Sequence, residues 1–189
     1  MSEHRGQHLT DRAIKFVATA EHLSRVLEGI SDLDWSPATI GLCKAFEVEI
    51  GERLVNPLAK AVGSLDLADA LKDKDLARVA KFCKNPASHP PELGTFAHFL
   101  HAATTNEQRW TSSTLTKVFL RINSSWAMSK WIVDPNGLHA ALLKLTRRYR
   151  NRAAHTEELT REDYDSCREF VIGNTGILWQ LLRATQPHK

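Results

Sequence analysis

The chain has 189 residues, of which 42% are hydrophobic and 25% charged, and its formal net charge at pH 7 is +3. This length and composition fit one compact domain and exclude a low-complexity chain. The small net charge excludes a strongly basic nucleic-acid coat protein, so any contact with a polyanion must be local.

No apolar run in the sequence approaches the roughly 20 residues that a membrane-spanning helix needs. Residues 1–8 also lack the apolar core of a secretory signal, and we interpret them as a flexible polar tail. We therefore expect a protein that does not associate with a membrane.

The cysteines Cys43, Cys83 and Cys167 are odd in number, far apart and never in a C-x-x-C pair. This pattern argues against a disulfide framework and against a structural zinc site. His98 and His101 are three residues apart, but no further candidate ligands follow at a spacing typical of a zinc site. We expect a protein of the reducing cytoplasm that uses no metal and no cofactor.

Apolar residues recur at helical spacing along almost the whole chain, and no run shows the period-two alternation of a strand. The sequence therefore predicts an all-α protein, a helical bundle with short additional helices. We expect a single all-helical domain over residues 9–185.

The first part of this domain is predicted as two long helices. The first covers about residues 9–30, and Ser36 and Pro37 open the second as its N-cap and first helical residue. Pro57 is expected to kink or end the second helix, and Gly63 to close what remains.

The middle of the chain is predicted as shorter helices with polar connections between them. We expect helical segments around residues 65–71, 75–82, 93–103 and 115–122, a loop at 85–91, a polar connection at 104–111 and a turn at 134–137.

The last part is predicted as two further helices. The penultimate helix begins near Leu138, and the last helix begins at a capping box formed by Thr160 and Asp163. We expect the last helix to continue to about Leu182, weakened in its middle by Gly173 and Gly176.

The charge changes sign where the penultimate helix is expected to end. The basic residues there are Lys144, Arg147, Arg148, Arg150 and Arg152, with no acidic residue among them. The acidic residues that follow are Glu157, Glu158, Glu162, Asp163 and Asp165. A basic run at the carboxyl end of a helix is also common for a structural reason, because cations favour the negative end of the helix dipole.

The basic run contains an R-x-x-x-x-H element, from Arg150 to His155, whose second residue is Asn151. On a regular helix Asn151 and His155 share a face, whereas Arg150 is rotated by roughly 140° from His155, so only a long side chain reaches back. A guanidinium beside an imidazole has the groups needed to cleave an RNA phosphodiester. Arg150 would stabilise the phosphorane charge, and His155 would move protons during attack by the 2′-hydroxyl.

The sequence Tyr149-Arg150-Asn151-Arg152-Ala153-Ala154-His155-Thr156-Glu157-Glu158, placed before a last helix, resembles the carboxyl-terminal half of a HEPN domain. The close resemblance covers about residues 138–182. It implies a helical bundle of HEPN type that commonly dimerises, so that two signature motifs form one composite ribonuclease site without metal.

Carried over to this chain, the resemblance implies that Arg150 and His155 are the catalytic pair and that Asn151 assists them. Members of the family occur as toxins, in antiphage defence and in RNA processing, so an antitoxin or a partner defence protein is expected besides RNA. Some members have lost catalysis and serve as binding scaffolds.

Three other arginines are candidates for holding the RNA backbone, although solvated charges on a helix face explain them equally well: Arg147, Arg148 and Arg152. Glu47, Glu49 and Glu52 lie among apolar residues of the second helix. One of them could face the site, but an exposed charged face is the simpler interpretation.

The leading hypothesis is a metal-independent endoribonuclease that acts on RNA as a homodimer. The alternative is a catalytically inactive HEPN-like scaffold, or a nucleotide- or RNA-binding module, that docks a partner protein. A weaker third hypothesis is a helical regulator that binds DNA, although no helix-turn-helix spacing stands out.

Overall fold

The computed structural model describes residues 9–30, 32–155 and 157–188, and the predicted tail at residues 1–8 lies outside them. The described residues form helices and no strand, which confirms the all-α prediction. The α-helices are α1 Asp11–Leu27, α2 Ser36–Ile50, α3 Asn56–Val62, α4 Ala68–Lys72, α5 Ala77–Lys84, α6 Leu93–Thr105, α7 Glu107–Ser112, α8 Thr114–Asn123, α9 Ser129–Val133, α10 Ala140–Lys144, α11 Asn151–Ala154, α12 Arg161–Ile172 and α13 Ile177–Ala184. Each helix in the described ranges is too short or too polar to cross a lipid bilayer.

The chain divides into two compact units. The first contains Met1–Glu49 and Lys144–Leu182, and the second contains Ile50–Leu143 and Arg183–Lys189. The single domain that the sequence predicts over residues 9–185 remains a prediction.

The core of the first unit packs α1, α2, α12 and α13 around fully buried side chains, among them Ala13, Leu42, Phe46, Leu145, Tyr149, Cys167 and Leu178. Gly41 of α2 faces Phe16 and Ala20 of α1. A Cβ atom at Gly41 would stand 3.0 Å from the Cβ atom of Ala20 and 3.3 Å from the carbonyl oxygen of Phe16. A side chain at this position would therefore require its neighbours on α1 to shift by a few tenths of an ångström.

The interpretation of the second helix's glutamates as an exposed face is wrong for Glu49, which is 0% exposed. Its Oε1 accepts hydrogen bonds from the backbone N–H of Thr10 at 2.7 Å and from the Thr10 hydroxyl at 2.8 Å. Thr10 is the N-cap of α1, and these charge-assisted bonds offset the cost of burying a carboxylate. Glu47 is half-buried and Glu52 is exposed.

Pro57 is accommodated by a π-helical turn, Gly51–Val55, that joins α2 to α3. The N–H of Asn56 donates to the carbonyl of Gly51, five residues earlier, and Pro57 then occupies the first turn of α3, where a missing N–H does no harm. Gly63 ends α3 as predicted. Its φ of 51° lies in the left-handed region that glycine adopts without strain.

In the second unit the predicted short helices and the loop at residues 85–91 are confirmed, but the polar connection at 104–111 is wrong. α6 continues to Thr105, and α7 begins at Glu107 because the Asn106 side chain accepts a hydrogen bond from the N–H of Arg109 at 3.3 Å. The predicted turn at 134–137 is present, since the N–H of Gly137 donates to the carbonyl of Asp134 at 2.9 Å.

The predicted last helix is two helices, α12 and α13, with a break at residues 173–176. The backbone leaves the helical region at Gly173, where ψ is 179°. A Cβ atom at Gly173 would collide with the carbonyl of Glu169, so the chain requires glycine there. The two glycines therefore end one helix and separate it from the next.

Candidate functional site

The R-x-x-x-x-H element spans the end of the helical segment that precedes α12, as predicted. Arg150 is the last residue of a π-helical turn, Leu145–Arg150, which we call the motif π turn. In this turn the N–H of Asn151 donates to the carbonyl of Thr146, five residues earlier. α11 follows, and the chain leaves the helix at His155, where φ is −112° and ψ is −155°. Single-turn π helices of this kind are frequent at functional sites.

The structure brings Arg150 and Asn151 together. Both side chains are half-buried, and Nη1 of Arg150 donates to Oδ1 of Asn151 at 3.4 Å. This contact is longer than a typical N–H···O hydrogen bond. It places the guanidinium and the amide close enough to reach one ligand.

His155 lies at the C-cap of α11, and its side chain is exposed. Its backbone N–H donates to the carbonyl of Arg152 at 3.3 Å. The imidazole makes no hydrogen bond or ion pair with another residue in the described part of the chain. An exposed imidazole on a helix end is open to a ligand that approaches from solvent.

Tyr149 anchors the helix immediately before the element. Its side chain is 0% exposed, and its hydroxyl lies 2.9 Å from the hydroxyl of Ser166 on α12. The Tyr149 ring also packs against Phe170, with 6.2 Å between the ring centroids. Because this buried anchor is adjacent to Arg150, it fixes the direction in which the catalytic candidates leave the core.

The three arginines predicted to hold RNA differ in their surroundings. Arg147 and Arg148 are exposed, and the Arg148 guanidinium lies 5.6 Å from the centroid of the Tyr149 ring. Arg152 is half-buried and forms ion pairs with Glu157 at 2.7 Å and with Asp163 at 2.9 Å. Arg147 and Arg148 therefore present charge to solvent, whereas Arg152 is engaged within the chain.

Asp163 combines two structural functions. It completes the predicted capping box with Thr160, whose hydroxyl accepts from the Asp163 N–H at 3.2 Å, and it binds Arg152. Burial by itself would raise the pKa of Asp163, but its hydrogen bond with Arg152, the N–H of Thr160 and the nearby cationic charge outweigh burial and lower the pKa.

A second carboxylate, Asp34, forms a hydrogen bond with the backbone of the segment that follows His155. Its Oδ1 accepts from the N–H of Leu159 at 3.0 Å and from the N–H of Ser36 at 2.9 Å, and the N–H of Trp35 donates to the carbonyl of Leu159 at 2.9 Å. Burial would raise the pKa of Asp34, but the hydrogen bonds from Ser36 and Leu159 lower it. Sequence reasoning missed Asp34 because its partner Leu159 is 125 residues away.

A cavity of about 650 Å³ lies beside the chain segment that follows His155. It is lined by the end of α1 and by Trp35, Leu159, Thr160 and Arg161, but not by any of the three catalytic candidates. Arg150, Asn151 and His155 therefore lie outside this cavity.

Comparisons of the chain with protein-family models, with curated proteins and with solved structures found no match. The interpretation of the element thus depends on its residues and on their placement at the end of a helix.

Proposed function

We propose that the protein is a metal-independent endoribonuclease of HEPN type that cleaves RNA in the cytoplasm. The observation that supports this proposal best is the arrangement at the end of the helical segment that precedes α12. There a guanidinium in contact with an amide, Arg150 with Asn151, precedes an exposed imidazole, His155.

The proposed reaction needs only these side chains and the RNA. The ribose 2′-oxygen attacks the adjacent phosphorus, a bond forms between them, and the bond from phosphorus to the 5′-oxygen breaks. His155 accepts the 2′-hydroxyl proton or protonates the leaving 5′-oxygen, because an imidazole can serve as a general base or as a general acid. Arg150 binds the non-bridging oxygens, and Asn151 hydrogen-bonds a phosphate oxygen or the imidazole.

One chain supplies one such imidazole, whereas the reaction moves a proton at each end. We therefore propose that two copies form a composite site, so that one His155 acts as base and the other as acid. A defence or toxin–antitoxin setting, with an antitoxin or partner defence protein, follows from the same proposal.

The experiment is an RNA cleavage assay in the presence of EDTA, with end mapping. We expect fragments that carry 2′,3′-cyclic phosphates, and no cleavage of DNA of the same sequence, because DNA lacks the attacking hydroxyl. His155→Ala and Arg150→Ala should each reduce the rate by about 100-fold or more, as expected for the loss of an acid–base group or of a charge-stabilising group.

The matched control is His22→Ala, which removes another exposed histidine of the first unit and should leave the rate unchanged. If His155→Ala cleaved as fast as the wild type, the proposal would be wrong. If the wild-type protein bound RNA without cleaving it, the alternative would hold, namely an inactive HEPN-like scaffold or binding module.

A further inference from the structure

Arg152 forms three hydrogen bonds with carboxylates near the proposed site. Its Nε donates to Glu157 Oε2 at 2.7 Å, its Nη1 to Asp163 Oδ1 at 2.9 Å and its Nη2 to Asp163 Oδ2 at 3.3 Å. The guanidinium thus makes a two-pronged contact with one carboxylate and a third bond with another. Such forked pairing uses the geometry that distinguishes arginine from lysine.

These contacts also determine the charge that RNA would meet at Arg152. One guanidinium faces two carboxylates, Glu157 and Asp163, so the cluster has a net charge of −1. A phosphate that approached Arg152 would have to displace a carboxylate or lie beside both. The cluster therefore does not favour a phosphate ligand, in contrast to the exposed Arg147 and Arg148.

The same contacts connect the two ends of the segment that carries His155. Arg152 belongs to α11, before His155, whereas Glu157 follows His155 and Asp163 lies in the first turn of α12. Leu159, two residues after Glu157, is bonded through its backbone as well. Its N–H donates to Asp34, and its carbonyl accepts from the N–H of Trp35. Arg152, before His155, is thereby joined to Glu157 and Asp163, after it, while the imidazole of His155 stays exposed.

We propose that Arg152 is a positioning residue, which holds the backbone beneath His155 through Glu157 and Asp163 and does not bind RNA. This inference rests on the proposed function of His155, because positioning matters only if the imidazole moves a proton. It replaces the expectation that Arg152, like Arg147 and Arg148, contacts the RNA backbone.

An Arg152 that positions His155 and an Arg152 that binds RNA phosphate predict different kinetics. Loss of a phosphate contact weakens RNA binding and reduces the dependence of log affinity on log salt by about 0.7 for a single strand. Loss of a positioning contact changes both less and lowers kcat, because even a displacement of about 1 Å can cost roughly 100-fold in rate.

The experiment measures kcat, RNA affinity and the salt dependence of that affinity for three alanine variants. We expect Arg152→Ala to lower kcat by about 10- to 100-fold, with a smaller loss of affinity and a smaller change of salt slope than Arg148→Ala. Arg148→Ala should instead weaken binding and lower the slope. Arg161→Ala is the matched control, since Arg161 also forms ion pairs near this segment, with Glu28 and Asp165, and should behave as the wild type.

The conservative variant Arg152→Lys separates the two explanations again. Lysine retains the charge and binds phosphate well, so an RNA contact would survive the change. An ammonium lacks the planar fork, so positioning would be only partly restored and kcat should stay below that of the wild type. Full activity of Arg152→Lys, or a reduction of the salt slope in Arg152→Ala as large as that in Arg148→Ala, would overturn the proposal.

A readout that does not depend on cleavage is the NMR spectrum of isotope-labelled histidine in the wild type and Arg152→Ala. The ring signals of His155 should shift and broaden in the variant, whereas those of His22 should not. Unchanged His155 signals would overturn the positioning function. Absence of cleavage by the wild type would refute the proposed function alone, because the spectra would still show whether Arg152 orders His155.

Discussion

The hydrogen bond between Tyr149 and Ser166 gives a prediction whose magnitude follows from the burial of its two partners. The Tyr149 hydroxyl belongs to a fully buried side chain, whereas Ser166 is half-buried, and their oxygens are 2.9 Å apart. Tyr149→Phe removes the bond but leaves Ser166 able to bind water instead. We expect a loss of about 1 kcal/mol in the free energy of unfolding, the usual net value of one such bond.

Ser166→Ala should cost more, although it removes the smaller group. It leaves the buried Tyr149 hydroxyl without its partner, and an unsatisfied buried hydroxyl costs about 1–3 kcal/mol. The double variant should be no less stable than Ser166→Ala, because it has no hydroxyl left to satisfy. The two single effects are therefore expected not to add, as is typical of residues in direct contact.

The assay is urea unfolding of the wild type, both single variants and the double variant, with the slope m compared to confirm two-state behaviour. If Tyr149→Phe destabilised the protein more than Ser166→Ala, or if the two effects added, the argument from burial would be refuted. Tyr149→Phe should also keep RNA cleavage near the wild-type rate, because the ring still packs against Phe170.

Three further predictions concern the glycine turn, the acid range and a buried thiol. Gly137→Ala should lower the free energy of unfolding by about 1–3 kcal/mol in urea denaturation, because its Cβ would collide with the carbonyl of Trp131. Asp34 and Asp163 have lowered pKa values in the folded protein, so their contribution to stability is present above the unfolded pKa of about 3.9 and is lost as the pH falls through the folded values. The wild type should therefore lose stability below about pH 5 more steeply than the double variant Asp34→Asn/Asp163→Asn, and parallel pH profiles would contradict this. Burial raises the pKa of Cys83 to about 12, so iodoacetamide at neutral pH should label it only after denaturation, as mass spectrometry of the peptide can show.

The features that the sequence predicted correctly depend on neighbours close in the chain. The helical period, the capping box of Thr160 and Asp163, and the helix end at Gly63 each involve residues within one or two turns. Such local signals do not depend on tertiary contacts, which is why one sequence suffices to identify them.

The features that the sequence did not predict depend on distant partners. Glu49 is buried because Thr10, 39 residues away, offers it two hydrogen-bond donors, and Asp34 meets Leu159 across 125 residues. The charge pattern around Arg152 was visible in the sequence, but the choice of Glu157 and Asp163 as its partners depends on the path of the chain after His155. Pairing over such separations is set by the fold and not by spacing.

The motif π turn changes what the helical spacing implied about Arg150. On a regular α-helix, five residues separate the directions of Leu145 and Arg150 by roughly 140°, which would place Arg150 on the outer face when Leu145 points into the core. A π turn takes more residues for each revolution, so it brings Arg150 closer to the direction of the fully buried Leu145. This agrees with the half-buried position of Arg150 and the exposed positions of Arg147 and Arg148. An arginine drawn toward the core at a helix end has less freedom than its exposed neighbours, and a restrained guanidinium is better suited to stabilise a developing charge at a fixed place.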